Sequence, residues 1–498
     1  MTGDQDLRGA PWLAILAVAL IAAPAQARQA RPGAPGIVAE AVRDQEPNQQ
    51  DKLEGLDAGV ARPGFLNGAT LTVRPRTYYL DRDREAKQDN LGWALGGAIE
   101  FKSGWVGDVV QVAGTIYTSQ ILHGPEAKDG TQLFKAGPEP FTVLGEANAT
   151  VRLGGDNAFR IGRQSFDLPW LARQDVRMAP NTFEAVIVGR PAKTGFAYIA
   201  GYVDSIKRKN DDRFIPMSQA AGVAGGNKGL GLVGAQYMFN DGSLVTATNQ
   251  TTFDVMNTLF VKAERSFPTG PDASVRLYAQ YTDQRSVGSE LIGPFETHLV
   301  SAKAELFWKN ASFRLAASSA GDQKGLQSPF GGAPNYLSII VDNFDRAGED
   351  AFMVGGSYDF TGVGLRGLSA FGNIATGRTP DVGPNASPNE TEYDLTVDYR
   401  FDNESPARGL AIRLRAAWID QKESDNGGDD FFDFRLIVNY AIDLRVLRPL
   451  PWRACRPGRA RCGRTEQPPR RLRTDIGAIP DAPARRTSGY WPAPDSYA

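Results

Sequence analysis

Apolar and polar residues alternate with a period of two through most of this chain. The pattern is clearest between Gly409 and Leu444. There Leu410, Ile412, Leu414, Ala416 and Trp418 fall on one face, with Arg413 and Arg415 on the other. Phe432, Phe434, Leu436, Val438 and Tyr440 then oppose Asp433, Arg435 and Asn439. Successive side chains of a strand point to opposite faces, so the spacing predicts two strands, each with an apolar face and an arginine-bearing face. Eighteen such stretches follow one another, from 69–80 to 432–441.

The connections sort the alternatives. Every second one is short: 103–108, 154–157, 190–194, 239–242, 268–272, 308–311, 361–366 and 402–408. The others are mostly long: 119–140, 165–181, 204–228, 283–297, 319–350 and 376–390, with 252–256 the exception. A soluble sandwich has no reason to keep its long loops at one end, whereas a transmembrane barrel does. Phe239, Phe267, Phe307, Trp308, Phe360 and Phe401 adjoin the short turns, as an interfacial aromatic girdle would. The expected fold class is therefore all-β: an 18-stranded antiparallel transmembrane barrel with a constriction loop folded inward.

Composition agrees. The formal net charge of the 498 residues is −2, which suggests no nucleic-acid partner. No apolar run long enough for a membrane helix lies beyond the N-terminus. Residues 1–27 read as a signal peptide, with an apolar Trp12–Ala23 and an Ala25-Gln26-Ala27 cleavage site. Residues 28–68 have linker composition, 69–444 form the barrel, and 445–498 are an Arg- and Pro-rich extension holding both cysteines, Cys455 and Cys462. No cofactor is expected, and no His, Cys or acid cluster has metal-ligand spacing.

Several motifs, in order, resemble one family. YLDRD (79–83), MAPNTFEA (178–185), FIPMSQAAG (214–222), AQYTDQRSVG (279–288), FDRAGE (344–349), EYDLTVDYRF (392–401), IRLRAAW (412–418) and FRLIVNY (434–440) are similar to the OprD family of outer-membrane porins. The resemblance covers roughly 69–444. It implies an 18-stranded monomeric barrel in a Gram-negative outer membrane, inserted by the barrel-assembly machinery among lipid and lipopolysaccharide. Its narrow pore would pass small carboxylate-bearing solutes such as amino acids and aromatic acids. The family ends near Leu444, so the extension departs from it.

Closure of the barrel brings the last three strands beside the first. Their non-lipid faces carry Arg400, then Arg413 and Arg415, then Arg435, then Arg74 and Arg76. A charge at mid-membrane on the lipid face costs about 2–4 kcal/mol, so these arginines are expected to line the lumen. Guanidinium is permanently charged and grips carboxylate through a fork of donors. The resemblance carries a basic ladder onto Arg76, Arg413, Arg415 and Arg435, with Arg82 near its strand end. It also implies that loop 165–181 folds inward. Asp167, Arg173, Asp175 and Arg177 are then expected at the eyelet, and loops 204–228 and 319–350 are expected to narrow it further, the latter bringing in Asp342 and Asp345. Asp394, Asp398 and Asp433 share the arginine faces, so stiffening of the barrel by internal pairing is the competing role. The rival functions are an outer-membrane lipid hydrolase and a purely structural barrel. The two histidines, His123 and His298, have no serine motif beside them.

Overall fold

The computed structural model describes residues 64–192, 194–401, 405–421 and 428–445. The proposed signal peptide, nearly all of the linker, and the extension with Cys455 and Cys462 lie outside the described residues.

The barrel strands are β1 (Thr70–Arg84), β2 (Asn90–Lys102), β3 (Val110–His123), β4 (Phe141–Gly154), β5 (Asn157–Gln164) and β6 (Thr182–Arg190). They continue as β7 (Gly195–Lys207), β8 (Leu230–Met238), β9 (Leu244–Thr252), β10 (Met256–Pro268), β11 (Ala273–Ser286) and β12 (Glu296–Trp308). The last six are β13 (Ala311–Ala320), β14 (Asp350–Asp359), β15 (Leu368–Arg378), β16 (Glu390–Arg400), β17 (Leu410–Asp420) and β18 (Phe431–Tyr440). Each pairs antiparallel with its sequence neighbours. The sheet closes where Arg76–Arg84 of β1 pairs with Phe431–Asn439 of β18. Phe214–Pro216 along β7 and Ile442–Arg445 beside Thr70–Val73 are short annexes to this 18-stranded barrel.

Several strands run further toward the long loops than the alternation predicts. β1 continues to Arg84, β7 to Lys207 and β3 to His123, a residue expected in a loop. These wall extensions rise above any hydrocarbon belt and pack on the loops, so their faces lose the simple apolar–polar contrast. The 253–255 connection is as short as expected.

The burial pattern is inside out. Val233 is 56% exposed, Phe313 54% and Trp418 49%, all on the outer face. Inward neighbours such as Thr396 and Glu392 are fully buried. A water-soluble protein does not leave such a belt uncovered; a hydrocarbon solvent makes it the favourable arrangement. At the short-turn end the outer aromatics pair edge to face: Tyr237 with Phe239 at 4.7 Å, Tyr399 with Phe401 at 4.9 Å, Tyr358 with Phe360 at 5.0 Å. Rings of this kind suit a membrane interface.

The two faces are expected to answer one substitution oppositely. Leu395→Arg on the outer face of β16 should cost about 2–4 kcal/mol and reduce the folded fraction recovered in lipid. Thr396→Gln, one residue on and inward, should leave that fraction near the native value. Heat-modifiable gel mobility measures both.

Candidate functional site

Strand register arranges the arginines. Reading across β1, β18, β17 and β16 on the lumen side gives four successive rows. The first holds Arg82, Asp433, Ala417 and Asp394; the second Leu80, Arg435, Arg415 and Thr396. The third holds Tyr78, Ile437, Arg413 and Asp398; the fourth Arg76, Asn439, Ala411 and Arg400. Rows lie two residues apart along a strand, about 6.8 Å. The six expected arginines thus descend one wall in steps a small solute can span.

Their partners differ. Arg413 grips Asp398 with Nε and Nη2 at 2.7 and 2.9 Å. Arg435 Nε donates to Asp433 at 2.5 Å, and Arg82 reaches the same carboxylate at 2.7 Å. Arg415 lies directly across from Arg435. It donates only to Thr396 Oγ1, at 3.3 Å, and forms no ion pair among the described residues. Like charges directly opposite on neighbouring strands destabilise a sheet. Arg400, in the same row as Arg76, is exposed at the short-turn end of its strand.

Loop 165–181 docks on this wall. Tyr78, Leu80 and Ile437 interrupt the polar lumen face, and Leu133, Phe134 and Met178 bury them. Arg76 fixes the loop by charge: its Nη1 donates to Asp175 at 2.6 Å and to the Arg177 carbonyl. Asp167 is bound within the loop, to Arg173 at 2.7 Å. Further across, Trp170 fills a pocket with Phe260, Leu299 and Leu326, its Nε1 donating to Thr282 at 3.2 Å. Loop 321–349 lies against this one: Ala172 N donates to Phe330 O at 3.0 Å, and a Cβ on Gly332 would come within 2.3 Å of Pro169 O.

The wall holds the second loop too. Glu392 accepts the backbone N–H groups of Val341 and Asp342, both at 2.9 Å, and Arg435 Nη2 donates to Ile340 O at 3.2 Å. Asp342 and Asp345 lie on this second loop and do not line the cavity at the constriction. Arg346, bound to Glu349 at 2.6 Å and 3.6 Å from Glu390, organises an acidic cluster around them. Burial, with Glu349 and Asp342 adding to it, pushes the Asp345 carboxyl up to about 7.

What remains is a polar cavity of about 240 Å³. Its charged lining residues are Arg82 and Arg435 from the wall, Arg177 from loop 165–181, and Lys209 from loop 208–229. Gln132 and Gln174, which also line it, hold left-handed backbone at φ 59° and 43°. Such strain persists only where the surroundings enforce it. Lys209 was not legible in the sequence. Its backbone N–H is fixed by Asn181 Oδ1 at 2.8 Å and its Nζ donates to Gln174 at 3.0 Å. Burial, with Arg177 and Arg435 adding to it, pulls its ammonium down to about 7. Glu392 also escaped notice, because one inward acid among several carries no mark of clasping a loop. Among the described residues no group of His, Cys, Asp or Glu is placed to hold a metal.

A closed barrel with an apolar exterior, and a lumen narrowed by loops over a charged wall, defines a membrane channel. The family model described as outer membrane porin, OprD family, matches residues 63–444, and the chain belongs to that family. Membership and fold together imply a Gram-negative outer membrane. No match was found among curated proteins. Solved structures with the same fold include Pseudomonas aeruginosa OpdK with vanillate (22% identity, TM-score 0.67) and a BenF-like porin from Pseudomonas fluorescens Pf-5 (22%, 0.68). Pseudomonas aeruginosa OccK2 (OpdF) in complex with glucuronate is another, at 21% identity and TM-score 0.65. Each comparison covers 76% of this chain and the whole of the other.

Trp170→Ala should empty a buried pocket, costing about 3–5 kcal/mol, and free the middle of the constriction loop. The barrel should stay closed, so single-channel conductance is expected to rise and become noisier, with folded yield little changed.

Proposed function

We propose that this porin gives passive, selective uptake of small carboxylate-bearing solutes, amino acids and aromatic acids among them. The carrying observation is the four-row lattice of arginines on β1, β16, β17 and β18, running past the loop-lined constriction. A carboxylate entering from the long-loop end meets Arg82, then Arg435 and Arg415, then Arg413, and leaves past Arg76 and Arg400. Neighbouring rungs let a solute bind the next before releasing the last, which conduction requires: each site attractive enough to enter and weak enough to leave. The carboxylate solutes in two related structures support this chemistry.

Arg415 is a rung without a carboxylate partner among the described residues, buried in this structure beside Thr396. Arg413 and Arg435 already hold carboxylates, and Arg76 is committed to loop 165–181. Arg173, Asp167 and Asp175 shape the eyelet by holding that loop, while Asp342 and Asp345 act from behind it. Single-chain closure supports a monomer. Lipid and lipopolysaccharide would surround the apolar belt, and the barrel-assembly machinery would deliver it there.

Arg415→Gln keeps a polar side chain beside Thr396 and leaves no carboxylate unpaired. It should lower carboxylate flux about five-fold, the value of one charge contact of about 1 kcal/mol in water, and spare uncharged solutes of equal size. The difference should shrink at about 1 M salt, where screening shortens to about 3 Å. Equal losses for charged and neutral solutes in proteoliposomes would assign Arg415 to barrel shape instead.

A further inference from the structure

The constriction carries an imbalance of charge that the wall arginines alone do not explain. All four charged residues lining the cavity are cations. Asp433 is fully buried behind Arg435 and Arg82 and is shared between them. Arg177 donates to two carbonyl groups, Thr131 O at 2.9 Å and Val176 O at 2.8 Å, and Lys209 to an amide oxygen. Neither forms an ion pair among the described residues, and both keep N–H donors to spare. The cations also stand on two separate supports: Arg82 and Arg435 on the barrel wall, Arg177 and Lys209 on loops folded over it.

We propose that the constriction holds two anionic groups of one solute at once, one on the wall pair and one on the loop pair, so that a short dicarboxylate is its preferred cargo. This rests on the carboxylate-uptake reading and narrows it. With only Asp433 shared by the wall pair, the four cations keep an excess of positive charge that a single carboxylate does not balance. A zwitterion brings its ammonium into a cavity that offers only amides and carbonyls to receive it. At about 30 Å³ per water, the cavity holds about eight waters, which is room for a diacid of a few carbons. Lys209 sits at the sensitive point. It faces Arg177 from its neighbouring loop and Arg435 from β18, with Arg82 beyond and Asp433 behind them. Held near 7 by burial, with Arg177 and Arg435 adding to it, it gives its proton up as the pH rises and takes it back when an anion arrives.

The test is competitive flux through the full chain in proteoliposomes, with four solutes of equal carbon number: succinate, butyrate, 4-aminobutyrate and 1,4-butanediol. Succinate should pass fastest and 4-aminobutyrate slower than butyrate. Lys209→Met should cut the succinate-to-butyrate ratio about five-fold, whereas Lys209→Arg should preserve it. Between about pH 6 and about pH 8 the native ratio should fall, because Lys209 loses its charge there. Asp345 titrates in the same window and also makes the pore less positive as the pH rises. The Lys209→Arg variant keeps Asp345 and isolates the lysine by holding the ratio steady. If butyrate beats butanediol but succinate does not beat butyrate, or if Lys209→Met leaves the ratio unchanged in a folded barrel, the two-anion site is overturned and carboxylate uptake stands. If butyrate and butanediol pass alike, the broader reading fails with it.

Discussion

Closure of β1 on β18 is the contact on which everything else rests. Hydrocarbon offers no partner for a backbone N–H or C=O, so a sheet can cross a bilayer only when no edge is left open. The 18 strands meet that condition through the Arg76–Arg84 and Phe431–Asn439 pairing. Closure also fixes register, and register turns scattered arginines into rows. Slipping β17 by one residue against β18 would send Arg413 and Arg415 into lipid and Leu414 and Trp418 into the lumen. The pore chemistry and the membrane anchoring are therefore one constraint seen from two sides.

The competing roles of the lumen arginines both have a place. Arg413 with Asp398 joins β17 to β16, and Arg435 with Asp433 is tied back to Arg82 across the closure seam. These pairs hold the wall in shape. Arg415 is placed otherwise: directly across from Arg435, with a threonine for company. A like-charge pair on adjacent strands is unfavourable in the resting barrel. On the carboxylate-uptake reading, an arriving anion would relieve that repulsion.

The wall was legible in the sequence because period two is a covalent property of a strand. Once Leu395 and Trp418 face lipid, Arg413 and Arg415 must face in, whatever the loops do. Long and short connections gave the closure, the loop end and the strand count in the same way. Loop chemistry was only partly legible. Asp175 and Arg177 were marked by their place in loop 165–181, and the structure sets them against Arg76. Asp342 and Asp345, marked on the same grounds, do not line the cavity, although Val341 and Asn343 beside Asp342 do. Lys209 carried no mark at all, since nothing local to residue 209 says that Gln174 and Asn181 will hold it over the pore. Side chains on strands inherit their direction from the backbone; those on loops receive it from distant partners.

The inward loops have a cause in the wall itself. A porin lumen should be polar throughout, yet Tyr78, Leu80 and Ile437 face inward on strands that otherwise present arginine and asparagine. Left wet, these three would cost roughly 1.5–3 kcal/mol each relative to burial. Leu133, Phe134 and Met178 cover them, and in doing so set Arg177 and Gln174 beside Arg82 and Arg435. The apolar patch holds the loops against the wall, and on the proposed function the arginines around it would set what the constriction attracts. Neither alone makes a selective pore. Without the patch the ladder would line a wide channel where screening by salt reaches every rung, and without the ladder the loops would plug a neutral hole.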